Sequence, residues 1–292
     1  MAEMHHKGKN NPSGNLKVSV IMGTYNCADT LEAALDSICC QTYTNWELIL
    51  WDDGSTDGTY DLARQYAQRD PARIRLYHDD RNRKLSHALN QCLSHAEGEL
   101  IARMDADDIS HPDRLEKQVD YLRDHPETDL VGTQMMSFDE DGEAGIIRAP
   151  LHPVPEMLRS RVPIHHATIM TYRSVYETLG GYTENDTVEG VEDLDLWFRF
   201  FEKGFAAATM DEVLYDVRMD RNALKRRTLA RRIRSIRTRA AGYKRLGFPL
   251  NGLIVPACVL FMKGLVPLPA KRLYSKCRAE RRRNREDGDT QT

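Results

Sequence analysis

Two carboxylate groupings carry whatever chemistry this chain performs. Asp105, Asp107 and Asp108 follow an apolar run that begins at Leu100. Such a run leading into acids predicts a buried strand whose carboxyl end opens into a polar crevice, where open α/β sheets bind ligands. Asp105 and Asp107 flank one small residue, so two oxygen ligands can face a hard divalent cation while Ala106 keeps the turn tight. Mg or Mn held this way completes its octahedron with water and a diphosphate. The plainer alternative is an acidic turn capping the next helix. The second grouping, Glu192-Asp193, stands before Leu194, Trp197, Phe198 and Phe201. That spacing buries one helix face and puts the acids at the helix N-terminus, where the ionised form is favoured. An ionised carboxylate beside an acceptor hydroxyl is a general base; simple helix capping is again the alternative.

The elements that would position these acids can be read from hydrophobic period. Residues 18–23 form a short apolar strand ending in Thr24-Tyr25-Asn26, followed by a helical pattern over 29–41. A second strand, 47–51, ends in Asp52-Asp53-Gly54-Ser55-Thr56-Asp57, with a helix over 60–68, and a third β-α pair covers 74–77 and 85–96. The alternation predicts a mostly parallel, doubly wound, Rossmann-like sheet flanked by helices. Its loops gather Asn26, Asp53 and the 105–108 acids along one edge. There Asp53 could accept from the ring N–H of a base and Tyr25 could stack on it, or Tyr25 could pack at the sheet edge. An amphipathic helix over 112–125 and a strand over 130–138 follow, with a solvated turn at 139–143. Residues 164–170 read as a strand entered through His165 and His166, whose side chains would then face opposite ways.

The formal net charge of -3 conceals an asymmetry. Residues 1–220 carry 21 basic and 40 acidic side chains, whereas 221–292 carry 20 and 4. The basic part reads as a helix over 221–245, then an apolar run over 253–262 too short to span a bilayer, then an arginine cluster at 281–285 predicted to be disordered. An interfacial segment on anionic lipid fits this pattern. A nucleic-acid tail would not need the apolar run, and a helical hairpin packed on the body or on a second subunit is a third reading. The six cysteines lack paired spacing and look reduced, and the first fifteen residues hold no secretory signal; His5 and His6 belong to a predicted loose tail.

The order Ser-Val-Ile-Met-Gly-Thr-Tyr-Asn, then Trp-Asp-Asp-Gly-Ser-Thr-Asp, then Asp-Ala-Asp-Asp resembles the family 2 inverting glycosyltransferases of the GT-A fold, over about residues 16–220. The resemblance implies a nucleotide-diphosphate sugar donor, usually linked to uridine. It implies Thr24, Tyr25 and Asn26 bordering the nucleotide, Asp53 on the base, and Arg103 near the diphosphate. Asp107, with Asp105, would hold Mn or Mg, His166 would meet donor phosphate or sugar, and Asp193 would be the base beside Glu192. Where family members often read Asn-x-Gly-Leu, this chain has Asn82-Arg83-Lys84-Leu85. Lys84 could meet the diphosphate or point into solvent. The expected organisation is a tail (1–15), a GT-A catalytic domain (16–220) and a basic, amphipathic, membrane-associating helical extension (221–292). That places the protein in the cytoplasm, peripheral on the inner membrane face and acting on a glycan or lipid-linked acceptor. A sugar nucleotidyltransferase lacks support, since no glycine-rich basic loop follows the first strand. A catalytically silent binding module is the non-enzyme alternative.

Overall fold

Strands β1 (Val18–Thr24) and β2 (Trp46–Asp52) are buried almost throughout, which is why they read as largely apolar runs, interrupted near their starts by Ser19 and Glu47. The computed structural model describes residues 15–139, 142–219, 228–254 and 258. Around β1 and β2 the predicted alternation holds: α1 (Ala28–Cys39), α2 (Thr59–Arg69), β3 (Ile74–His78), α3 (Leu85–His95) and β4 (Leu100–Arg103) follow in turn. Helix α1 buries Leu31, Ala34, Leu35 and Ile38, the one-sided stripe expected of a helix packed on a sheet. Next come a two-residue strand β5 (Ile109–Ser110), α4 (Arg114–Asp124), β6 (Leu130–Asp139), β7 (Gly142–Ile147), β8 (Met170–Tyr172), α5 (Arg173–Leu179), α6 (Glu192–Glu202) and β9 (Ala207–Arg218).

The strands form one sheet in the order β3-β2-β1-β4-β8-β6-β9-β5, with β7 on the edge of β6. The pairs β3-β2, β2-β1 and β1-β4 are parallel, as the β-α alternation predicts. Beyond β4 the expectation of a mostly parallel sheet fails. β8 pairs antiparallel with both β4 and β6, β5 pairs antiparallel with β9, and only β6-β9 is parallel. The sheet is therefore mixed, with the parallel β3-β2-β1-β4 half joined through the antiparallel strand β8 to the parallel pair β6-β9. A second expectation also fails: 166–168 is a turn of 3-10 helix, and only Met170–Tyr172 is strand.

Helix α7 (Leu229–Arg245) starts on Thr228, whose side chain accepts from Arg231 N, and lies against α6. Gly242 makes the contact possible, since a Cβ there would sit 2.1 Å from the Phe198 ring. Tyr243 is fully buried beside it, and its hydroxyl donates to Arg159 O at 3.2 Å. Arg239 is buried and donates to Leu158 O. This part of the basic extension is thus packed on the catalytic body. Residues 1–14 of the predicted 1–15 tail, the arginine cluster at 281–285 and the apolar run beyond Ile254, apart from Cys258, lie outside the described residues.

Candidate active site

The acidic loop after β4 is held by contacts from the far end of the sheet. Asp105 N donates to Tyr215 Oη at 3.1 Å, Arg218 N donates to Asp108 Oδ1 at 2.8 Å, and Arg218 Nε donates to Asp107 O at 3.0 Å. Arg103, almost fully buried, grips both carboxylate oxygens of Asp105. Burial works against its charge, and the Asp105 carboxylate more than offsets this, so the guanidinium stays ionised. Arg103 thus lines the larger hollow while positioning the Asp105 carboxylate.

Carboxylate oxygens of Asp105, Asp107 and Asp108 lie within 4.8 Å of one another. Burial, then the charges of Asp105 and Asp107, push the Asp108 carboxyl well above the usual carboxylate range. Its Oδ2 is buried with no hydrogen bond among the described residues. An all-oxygen cluster with an orphaned buried acceptor is the donor set that a hard divalent cation takes. The residues present fit Mg or Mn.

This cluster, with Arg218, separates two hollows. One, of about 310 Å³, lies under Tyr25, Asn26, Asp29 and Thr30. The other, of about 770 Å³, runs past Lys84, Glu189, Glu192, Thr228 and Arg231. Tyr25 is 46 % exposed over the first, open for stacking. Thr24 is buried and tied to β2 through Trp51 O and Asp52. Asn26 takes a left-handed backbone and binds the second loop, its Oδ1 accepting from Thr56 N at 2.8 Å and its N donating to Ser55 Oγ at 3.0 Å. Thr24 and Asn26 thus shape the first hollow by holding its loops.

Asp53 is buried, and its two oxygens accept from Arg83 N and Lys84 N, each at 2.7 Å. The next turn closes on the same loop, because Gly54, at φ 74, approaches so closely that a Cβ would lie 2.6 Å from the Arg81 carbonyl carbon. Any contact of Asp53 with a base must share oxygens already engaged. This clamp fixes the backbone of the Asn82-Arg83-Lys84-Leu85 departure in a form that suits the family's glycine better than lysine. Lys84 sits at φ 78, ψ 165, a region that is essentially glycine-only. Its Nζ is 3.9 Å from Glu189 on the crevice wall. Lys84→Gly is expected to raise stability by about 1 kcal/mol, strain relief less the entropy of glycine. Chemical denaturation measures it; a lower midpoint would mean that the conformation is not strained.

Glu192 lines the larger hollow, its Oε1 accepting from Gly190 N at 2.7 Å, and Asp193 follows on the first turn of α6. Burial raises both carboxyls; for Asp193 the Leu194 amide, Arg231 and Arg103 pull the other way. His165 Nε2 lies 3.1 Å from Ile147 O, and His166 Nε2 lies 2.8 Å from Tyr182 Oη, which is 2.7 Å from Tyr176 Oη. Burial, then Arg103, hold His166 well below the usual histidine range, so it is neutral. His166 sits in this aromatic relay against Trp197 and lines neither hollow.

Sequence reasoning missed Arg218, Arg231 and Arg234. Arg218 lines both hollows, and the two arginines of α7 line the larger one. Arg234 Nη2 donates to Glu189 at 3.1 Å. The only signal was the arginine density of 221–245, which reads equally well as tail charge.

A mixed α/β sheet with a carboxylate cluster at the end of β4, between two hollows, is an arrangement that suits a nucleotide-sugar-dependent transferase. The family model "Glycosyl transferase family 2" matches residues 19–178, and the chain belongs to that family. It is 45% identical over 262 residues to "Putative glycosyltransferase EpsE" of Bacillus subtilis (strain 168), covering 90% of this chain and 94% of the relative. "Amylovoran biosynthesis glycosyltransferase AmsE" of Erwinia amylovora is 30% identical over 214 residues, with 72% and 79% covered. Among solved structures, the mannosyltransferase PcManGT of Pyrobaculum calidifontis, in complex with GDP-Man and Mn2+, has a TM-score of 0.61 at 24% identity, over 92% of this chain and 81% of that one. S. aureus TarS has a TM-score of 0.59 at 18% identity, over 79% of this chain and 43% of that one. These likenesses show the fold. The chain is a glycosyltransferase, and the nucleotidyltransferase and binding-module alternatives fall away.

Proposed function

We propose that this enzyme moves one sugar, or few, from a nucleotide-diphosphate donor to a glycan or lipid-linked acceptor with inversion, and that Asp193 is the base. The observation that carries the reading is the placement of the 105–108 carboxylates and Glu192 on one crevice, with Arg218 between the two hollows. Tyr25 stacks on the base in the smaller hollow, and Arg218 takes the diphosphate charge. Asp107 and Asp108, with Asp105 steadied by Arg103, hold Mn or Mg, which when bound supplies Lewis-acid stabilisation of the leaving diphosphate. Asp193 removes the acceptor proton as its oxygen attacks the anomeric carbon, while Glu192 orients the acceptor. A uridine-linked donor is the expected choice, since family 2 most often uses one.

Bound UDP, UDP-GlcNAc and GDP-Man are recorded for the structural relatives themselves. Relatives named for teichuronic acid, amylovoran and O-antigen synthesis support a cell-surface glycan as product. Synthesis of such a product from a nucleotide-sugar donor would suit an enzyme working on the cytoplasmic face of the membrane. Among the described residues no helix is long and apolar enough to cross a membrane. Calorimetry against uridine, guanosine and thymidine diphosphate sugars, with and without Mn, tests the donor site. Metal-dependent binding of one nucleotide class is expected, and no binding to any of them would remove the basis of the reading.

A further inference from the structure

Helix α7 is amphipathic in the wrong sense for a helix that ends at water. Its inward stripe carries Arg231 and Arg234 on the crevice wall and buried Arg239, whereas its outward stripe carries Leu229 at 56 % and Ile233 at 43 % exposure. The 3.6-residue period continues that outer stripe through Arg237, Ala241 and Lys244, all exposed. Exposing aliphatics while tucking arginines inward gains nothing in water.

The pattern extends beyond the helix. Eight large hydrophobic residues are exposed among the described residues. Apart from Tyr25, all seven fall on two stretches, 151–162 and 229–254. Those stretches touch: Arg239 donates to Leu158 O, Tyr243 to Arg159 O, and Gly252 abuts the Arg159 guanidinium. Around the apolar groups stand exposed Arg161, Arg237 and Lys244.

We propose that the outer face of α7, together with the 151–162 stretch, is a docking surface for an anionic lipid bilayer. Apolar side chains would enter the headgroup boundary and the basic rim would meet lipid phosphates. A second copy of the chain is disfavoured as occupant, because a two-fold interface here would bring the same cations together. Thr228 and Arg231 line the crevice while Leu229 and Ile233 begin the outer face, so docking lays the crevice beside the bilayer. This deepens the proposed transfer to a lipid-linked acceptor and rests on that reading for its purpose, though the surface is testable by itself.

The three native tryptophans, Trp46, Trp51 and Trp197, are buried, so Ile233→Trp provides a reporter at the surface. In the full-length protein with vesicles of phosphatidylcholine and phosphatidylglycerol, brominated acyl chains are expected to quench that reporter. Vesicles of phosphatidylcholine alone should quench it weakly. Leu229→Ser with Ile233→Ser is expected to weaken sedimentation with anionic vesicles about tenfold. An unquenched reporter on vesicle-bound protein, absence of vesicle binding, or a wild-type dimer in ultracentrifugation that the double substitution dissociates would each overturn the proposal. Donor calorimetry on the same preparations separates the two readings: the double variant should bind donor as the wild type does. Wild-type protein that binds vesicles but no donor would sink the transferase mechanism and leave the docking surface standing.

Discussion

Asp193→Asn is expected to lower kcat by about a hundred- to ten-thousand-fold while donor affinity stays unchanged. Burial raises the Asp193 carboxyl, so its ionisation opposes folding above the unfolded-state value, and the neutral amide removes that opposition. The variant should therefore melt no lower than the wild type, and a loss of activity cannot then be blamed on unfolding. Wild-type turnover should fall as pH drops through the Asp193 carboxyl, because only the ionised form accepts a proton. Arg231→Gln removes a charge that lowers Asp193, so the acid limb should move to higher pH. Initial rates across pH, with isotopically labelled donor, measure both effects. Near-normal transfer by Asp193→Asn would assign the base elsewhere, with Glu192 the first candidate.

Asp107→Ala is expected to abolish metal-dependent donor binding, weakening it about a hundredfold or more. The loop itself should survive, because Arg218 Nε holds Asp107 through its backbone oxygen and Arg218 N holds Asp108. Mn titration calorimetry reads the site without turnover: the wild type should bind Mn, the variant should not, and a chelator should reproduce the variant's donor affinity in the wild type. Donor binding unchanged in both Asp107→Ala and chelated wild type would remove the metal from the mechanism.

Much of this was legible from the chain. The first two β-α units announce themselves because buried parallel strands leave apolar runs, the edge strand β3 follows from the alternation, and the acids after β2 and β4 are contiguous in sequence. The second half was less legible. β5 has two residues and β8 three, too short for any hydrophobic period, and they exist only because β9 and β4 offer partners. His165 and His166 illustrate the cost, since a 3-10 turn replaces the strand on which their opposite facing was argued. Residue types also concealed roles. Asp53, placed at the base in the sequence reading, also clamps a strained loop, and Arg103, placed at the diphosphate, also grips Asp105. Both are short-range hydrogen bonds that residue identity alone cannot assign. The arginines of α7 read as tail charge because tertiary contacts, of Gly242 with Phe198, Arg239 with Leu158 and Tyr243 with Arg159, decide which way the helix faces.

The ties on the acidic loop also order its making. Asp105 N to Tyr215 and Asp108 to Arg218 each span 110 residues, and Ile109 pairs with Asp216. Three carboxylates so close repel one another and cannot set their own geometry. A nascent chain on the ribosome already carries Asp105, Asp107 and Asp108 when β1 to β4 can pair, but it cannot hold them in register until β9 has emerged. A product terminated before β9 would therefore carry the acidic motif without the ties that hold it.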